Sequence, residues 1–227
     1  MSYKPHGQRD ILWMSEYSCF ESEKPIRGGI PICWPWFGSH PFDRSMPSHG
    51  FARLMDWELK KSEVLMNGAT RLRLSISDNS YTTRYFPFPF NLELIVTVSE
   101  YLDLELVSEN TGDKEFLISE ALHSYFGLSS IRDVSVEGLD GFEYIDTVNG
   151  GNLRKKQNGP IRFDSEVDRI YLDVLPDCIV RDPGWGRKIH VAKSGSRNTV
   201  VWNPWIAKSA RMSDFGDNEY EIDSVHF

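Results

Sequence analysis

Arg27, His49, Arg53, His123 and Asp168 are the side chains of this sequence whose types and settings could do chemistry on a polar small molecule. Arg27 opens Arg27-Gly-Gly-Ile-Pro-Ile-Cys-Trp-Pro-Trp-Phe-Gly38, a stretch with neither a helical nor a clean strand period. Glycine lets backbones approach closely, proline fixes φ and removes a donor, and tryptophan offers a broad apolar face with one N–H. A stiff aromatic turn with a cation at its mouth suits a sugar: the flat face of a pyranose stacks on indole, and an anionic substituent meets Arg27. The competing reading is a core corner in which Trp34 and Trp36 fill volume. His49 opens His49-Gly-Phe-Ala-Arg53, with the arginine four residues on. His123 ends an apolar run in Ala121-Leu-His-Ser-Tyr-Phe126 and lies on the face opposite Leu122. Such a histidine is a proton carrier or, more commonly, a hydrogen-bonded structural residue. Asp168, in Glu166-Val-Asp-Arg-Ile-Tyr171, is either a grip for sugar hydroxyls or half of an ordinary surface ion pair.

Other chemistries lack their usual signatures. There is no G-x-G-x-x-G, P-loop, G-x-S-x-G or H-E-x-x-H. The six histidines show no paired spacing with carboxylates, so a bound metal is not expected. Val200-Val-Trp-Asn-Pro-Trp205 forms a second rigid aromatic corner, followed by Asp214-Phe-Gly-Asp217.

The elements that must position these residues read as strands. Arg71–Ser77, Leu92–Val98 and Tyr101–Val107 alternate apolar and polar, the period of a half-buried strand. Phe116–Leu122, Val134–Gly138, Asp177–Arg181, Lys188–Ala192 and Thr199–Trp202 are further candidates, separated by Gly-, Asn- and Asp-rich turns. Helix-length amphipathic segments are nearly absent, with a short turn of helix expected in Trp205–Ser213. The pattern predicts an all-β antiparallel sandwich or barrel whose end loops carry the site.

A chain of 227 residues fits one large all-β domain or, less readily, two small ones. Its net charge of −8 argues against a nucleic-acid partner, which needs a basic face. Three scattered cysteines, Cys19, Cys33 and Cys178, suggest reduced thiols and a cytoplasmic setting. Met1–Asp10 has no apolar core of a signal peptide, and no run approaches the roughly 20 apolar residues of a membrane span. Oligomeric state leaves no mark in the sequence.

Taken in order, Arg27–Gly38, His49–Arg53, Leu122–Phe126, Asp168–Leu172 and Val200–Trp205 resemble the hexose-6-phosphate mutarotases, or glucose-6-phosphate 1-epimerases, of the aldose 1-epimerase (galactose-mutarotase-like) superfamily. The resemblance runs from about Ile11 to Tyr220. It implies a single large antiparallel β-sandwich of the galactose-mutarotase type and interconversion of the α and β anomers of a hexose 6-phosphate, without metal or organic cofactor. A base takes the proton of the anomeric hydroxyl while an acid protonates the ring oxygen, and the roles reverse on closure. By resemblance His123 is that acid, His49 and Asp168 hold ring hydroxyls, and Arg27 and Arg53 meet the phosphate. Trp34 or Trp36 would wall the pocket. Phosphate recognition also explains why an acidic chain places arginines at two glycine-rich corners.

The resemblance assigns the base to a glutamate on a strand after the Asp214–Asp217 turn. Counting from Tyr220, it should fall on or beside Phe227, and no glutamate is there. Ile222–Phe227 does not alternate like its expected counterpart and is expected to be an altered or truncated end, with a sheet edge left open to self-association. Glu219, Glu221 and Asp223 should sit at the wrong height to replace it, because each strand residue advances about 3.3 Å and changes face. Three readings follow: a hexose-6-phosphate mutarotase, a sugar-phosphate-binding pseudoenzyme without the base, or a β-sandwich whose motifs only maintain the fold.

Overall fold

The computed structural model describes residues 2–226. Its strands in chain order begin with β1 (Ile32–Cys33), β2 (Glu58–Val64), β3 (Thr70–Ser77), β4 (Phe90–Val98) and β5 (Leu102–Asn110). β6 (Ala121–Leu122), β7 (Tyr125–Gly127), β8 (Ser135–Glu137), β9 (Glu143–Asp146), β10 (Leu153–Lys156) and β11 (Ile161–Arg162) follow. The chain continues through β12 (Val167–Tyr171), β13 (Cys178–Asp182), β14 (Arg187–Val191), β15 (Thr199–Asn203), the short helices α1 (Trp205–Ser209) and α2 (Glu219–Ile222), and β16 (Asp223–His226).

The ladders between these strands are antiparallel. One sheet is the meander β2-β3-β4-β5, with short turns between β2 and β3 and between β4 and β5 and a longer loop, residues 78–89, between β3 and β4; a second has the order β11-β8-β13-β14. A third runs β10-β9-β12-β15-β16-β7, and β1 pairs with β6 alone. The residues read as alternating, 71–77, 92–98 and 101–107, fall on β3, β4 and β5; exposure alternates along β5, and Ile76 of β3 and Leu92, Leu94 and Val96 of β4 are buried.

The sequence expectation differs at particular elements. Residues 116–122 form a strand only at Ala121–Leu122; before that, Ser119 donates to the Pro35 carbonyl and Phe116 packs on Phe86, so the segment is tied to a loop rather than a sheet. β2 is exposed at nearly every position, which is why it shows no apolar alternation. Residues 223–226 do form a strand, inserted between β15 and β7. Phe227, where the base was sought, lies outside the described residues.

The interior is divided. One cluster, including Leu128, Val136, Tyr171, Val180 and Val201, lies under the β8–β15 sheets. Another, around Trp34, Phe51, Phe86, Phe90 and Leu92, lies under the meander. A small aromatic group of Trp13, Tyr125 and Phe215 stands apart from both. No helix among the described residues is long and apolar enough to cross a membrane.

Candidate active site

Two loop-to-strand lacings bring the chemical residues together. In the first, Tyr125 N–H donates to the Gly29 carbonyl, His123 N–H to that of Pro31, and Gly29 N–H to that of Trp13. Ser15 N–H closes the ladder on the Arg27 carbonyl. This sets Arg27 beside Tyr125 and His123. It requires glycine at position 28: φ is +126°, and a Cβ there would stand 2.4 Å from the Met14 Cα. In the second lacing, Phe51 and Ala52 N–H share the Trp34 carbonyl and His49 N–H meets the Gly38 carbonyl. Here Gly50 is obligatory, since a Cβ would lie 2.0 Å from the Trp34 carbonyl oxygen.

His49 has φ of 61°, an uncommon conformation for a side chain of its size. Its Nδ1 accepts the Gly38 N–H at 3.2 Å, which leaves the neutral ring with its proton on Nε2. Its ring stands edge-on to His123 at 5.9 Å, and His123 in turn stacks on Tyr125 at 4.9 Å. Both rings lose basicity. Burial first, then Arg53 and Arg27, lowers His49 to about 4. Burial, His49 and the same two arginines lower His123 to about 3.

Arg27 donates from Nε and Nη2 to one Asp214 oxygen at 3.1 and 2.9 Å, and from Nη1 to the Tyr125 hydroxyl at 2.8 Å. Burial alone would lower its pKa, but Tyr125 and Asp214 outweigh that and raise it. A guanidinium has five N–H donors, so one donor on each Nη is left over after these bonds among the described residues. Arg53 donates from Nη2 to the Ser48 carbonyl at 2.8 Å, while its buried Nε has no hydrogen-bond partner among the described residues. Such an orphan is costly and points to a missing acceptor. Cys33, beside Arg53, is pushed up to about 12 by burial, with Arg53 opposing, and stays a thiol.

Asp168 reaches the same region along the sheet. It is the cross-strand partner of Trp202, so the two share a face of the sheet. The Trp202 ring is 6.5 Å from that of His123, and Lys208 Nζ lies 5.4 Å over it. Lys208 stands 3.9 Å from Asp168 and 2.7 Å from Glu166. Burial raises the Asp168 pKa, opposed by Thr147 and Lys208.

Thus Arg27, Arg53, His49 and His123 gather at one corner, with Asp168 along the same sheet face. The aromatic wall is a correction. Trp34 is fully buried among Phe51, Phe86 and Phe90, with Nε1 donating to Ser108 Oγ at 3.1 Å. Trp36 is buried edge-on to His40, with Nε1 on the Pro47 carbonyl at 2.8 Å. Both indoles fill core volume, and Trp202 supplies the aromatic surface near His123 instead. Tyr125, Trp202 and Asp214 were not singled out for the site. Tyr125 shares a face with His123 by the two-residue strand period; Asp214, 187 positions from Arg27, left no local signal.

A family profile described as aldose 1-epimerase matches residues 1–223. The chain belongs to the aldose 1-epimerase family. A Salmonella typhimurium protein provisionally named glucose-6-phosphate 1-epimerase is 36% identical over 97% of this chain and 73% of its own length. An Escherichia coli protein of the same provisional name is 34% identical with the same coverage. The crystal structure of a provisionally assigned mutarotase from S. typhimurium superposes with a TM-score of 0.90 at 34% identity, covering 99% of this chain and 75% of that one. This aldose 1-epimerase is therefore by family an isomerase of sugar anomers, with the antiparallel β fold expected from its strands and of the mutarotase type that the resemblance implied.

Proposed function

We propose that the substrate is a hexose 6-phosphate, glucose 6-phosphate in first place, and that the chain is a single mutarotase-like domain. The observation that carries this reading is the pair of arginines at one corner of an acidic chain, one with a buried unpartnered Nε and the other with a donor left on each Nη. Phosphate oxygens satisfy such donors with strong charge-assisted bonds. The provisional names of the relatives support the same substrate.

With phosphate at Arg27 and Arg53, the sugar ring extends toward His49 and His123. His49 donates from Nε2 to a ring hydroxyl, and Asp168 accepts from another. His123 gives a proton to the ring oxygen as the C1–O5 bond breaks, while a base takes the proton of the C1 hydroxyl. Rotation about C1–C2 exposes the other face of the aldehyde; the C5 hydroxyl adds back to C1, His123 retakes its proton, and the base returns the other. The resemblance assigns the base to a glutamate on or beside Phe227, where the sequence has none, and that difference in residue type favours a second reading: a protein that binds the sugar phosphate without turning it over.

Magnetisation exchange between α- and β-glucose 6-phosphate separates these readings. Exchange well above the spontaneous rate, lowered ~10²-fold or more in His123→Ala, is expected of the enzyme. Binding that requires Arg53 without enhanced exchange identifies the binding protein. Absence of both removes the hexose-phosphate reading.

A further inference from the structure

A second concentration of positive charge lies on the β11-β8-β13-β14 sheet. Arg162 pairs with Ser135, Ser135 with Arg181, and Arg181 with Lys188. Cross-strand partners share a face, so three cations and one hydroxyl form a single row across four strands, about 14 Å from end to end. The opposite face of this sheet carries Val136, Val180 and Ile189 into the core, so the row faces outward. Like charges directly opposite each other, as Arg181 and Lys188 are, oppose strand pairing. Among the described residues Arg181 is relieved by Glu137 alone, while Arg162 and Lys188 have no ionic partner.

The row lines an open surface concavity of about 390 Å³, bordered by Asp133 and by the turn from β13 to β14. That size is in the small-molecule range. The turn is rigidly built. Asp182, fully buried, accepts from Ser129 Oγ, Ser129 N–H, Trp185 N–H and Arg187 Nε. Arg187 spends its other nitrogens on the carbonyls of Asp10 and Gly127 and stacks on Trp185. Arg187 is thereby structural, and the charge left to receive a ligand is that of Arg162 and Lys188, joined by the Arg181 Nη groups that the Glu137 pairing through Nε leaves over.

We propose that this concave face is a binding site for a small phosphorylated anion, separate from the Arg27–Arg53 corner. Phosphate is favoured over a carboxylate because its oxygens can receive the Arg162 and Arg181 forks and the Lys188 ammonium together. The short row in a chain of net charge −8 does not suit a nucleic acid.

The test is a titration of the ¹⁵N-labelled chain with inorganic pyrophosphate at physiological ionic strength, followed by amide shifts. Saturable shifts at Ser135, Arg162, Arg181 and Lys188 are expected. They should weaken about tenfold or more in Arg162→Gln/Lys188→Gln and persist in Arg53→Ala. The exposed charge-keeping pair Arg162→Lys/Lys188→Arg should retain them. Shifts confined to the Arg27–Arg53 corner, or undiminished in Arg162→Gln/Lys188→Gln, would overturn the site. Matching shifts with chloride at equal ionic strength would reduce it to nonspecific attraction and equally overturn it.

Discussion

In the field of Arg27 and Arg53 alone, His123 meets its proposed task with the wrong charge. A ring titrating at about 3 is neutral at neutral pH, yet protonating a ring oxygen calls for an imidazolium. The causes include Arg27 and Arg53, and a phosphate dianion seated between them would oppose their field. Glucose 6-phosphate should therefore raise the titration of His123, and of His49, whereas glucose should not. Ring-proton shifts followed against pH measure this directly, and unmoved titrations with bound phosphate would detach the acid role from the arginines. The same shifts fix how stability responds to acid. Both histidines have folded pKa values below the ordinary 6.5, so below pH 6.5 the unfolded chain binds more protons than the native one. Stability should be complete above about pH 6.5 and fall as pH drops toward 4, a trend that denaturant melts would resolve. Arg53→Gln should soften this loss, because removing that cation lets His49 protonate more easily in the folded state.

At the scale of elements, the arginine corner depends on a turn rather than a strand. Asp214, which holds Arg27, sits just before Gly216, and Gly216 N–H donates to the Glu219 carboxylate at 2.5 Å. That buried carboxylate also accepts from Ser15 Oγ at 2.5 Å and Glu16 N–H at 2.9 Å. Glu219 thus staples the turn to the segment alongside Arg27. Glu219→Ala should cost about 2–4 kcal/mol, because it leaves buried donors unpaired, and should weaken glucose 6-phosphate binding as Arg27 loses its fixed orientation. Calorimetric melting and titration would check both effects; a variant as stable as the parent would show the staple to be incidental. Little of this was legible beforehand. β3, β4 and β5 declared themselves because one face of each meets the core and the other meets water. β2, β9 and β10 did not: β2 and β10 are exposed almost throughout, and β9 is too short to show a period. Arg27, His49, Arg53 and His123 were legible through the glycines, prolines and motif order around them. The burial of Trp34 and Trp36 was not, because the sequence marks a rigid corner without saying which way its indoles turn.

For the molecule as a whole, the site spans two interiors. His49 and Arg53 stand beside Phe51 and Ala52 of the meander cluster, while the Asp168 strand packs through Val167 and Tyr171 into the other. Between them Tyr125 joins Trp13 and Phe215, and Arg27 lies 5.4 Å over the Phe215 ring. Leu102 touches both large clusters, so the seam is apolar as well as polar. Interiors coupled in this way should unfold together, and calorimetry should give one transition whose van't Hoff and calorimetric enthalpies agree. Glucose 6-phosphate should raise that transition without splitting it, by about 2.7 kcal/mol at a hundredfold excess over Kd, and Arg53→Ala should abolish the rise. Two transitions, only one of them responding to the sugar phosphate, would mean that the corner belongs to one cluster and that Asp168 is not part of the same site.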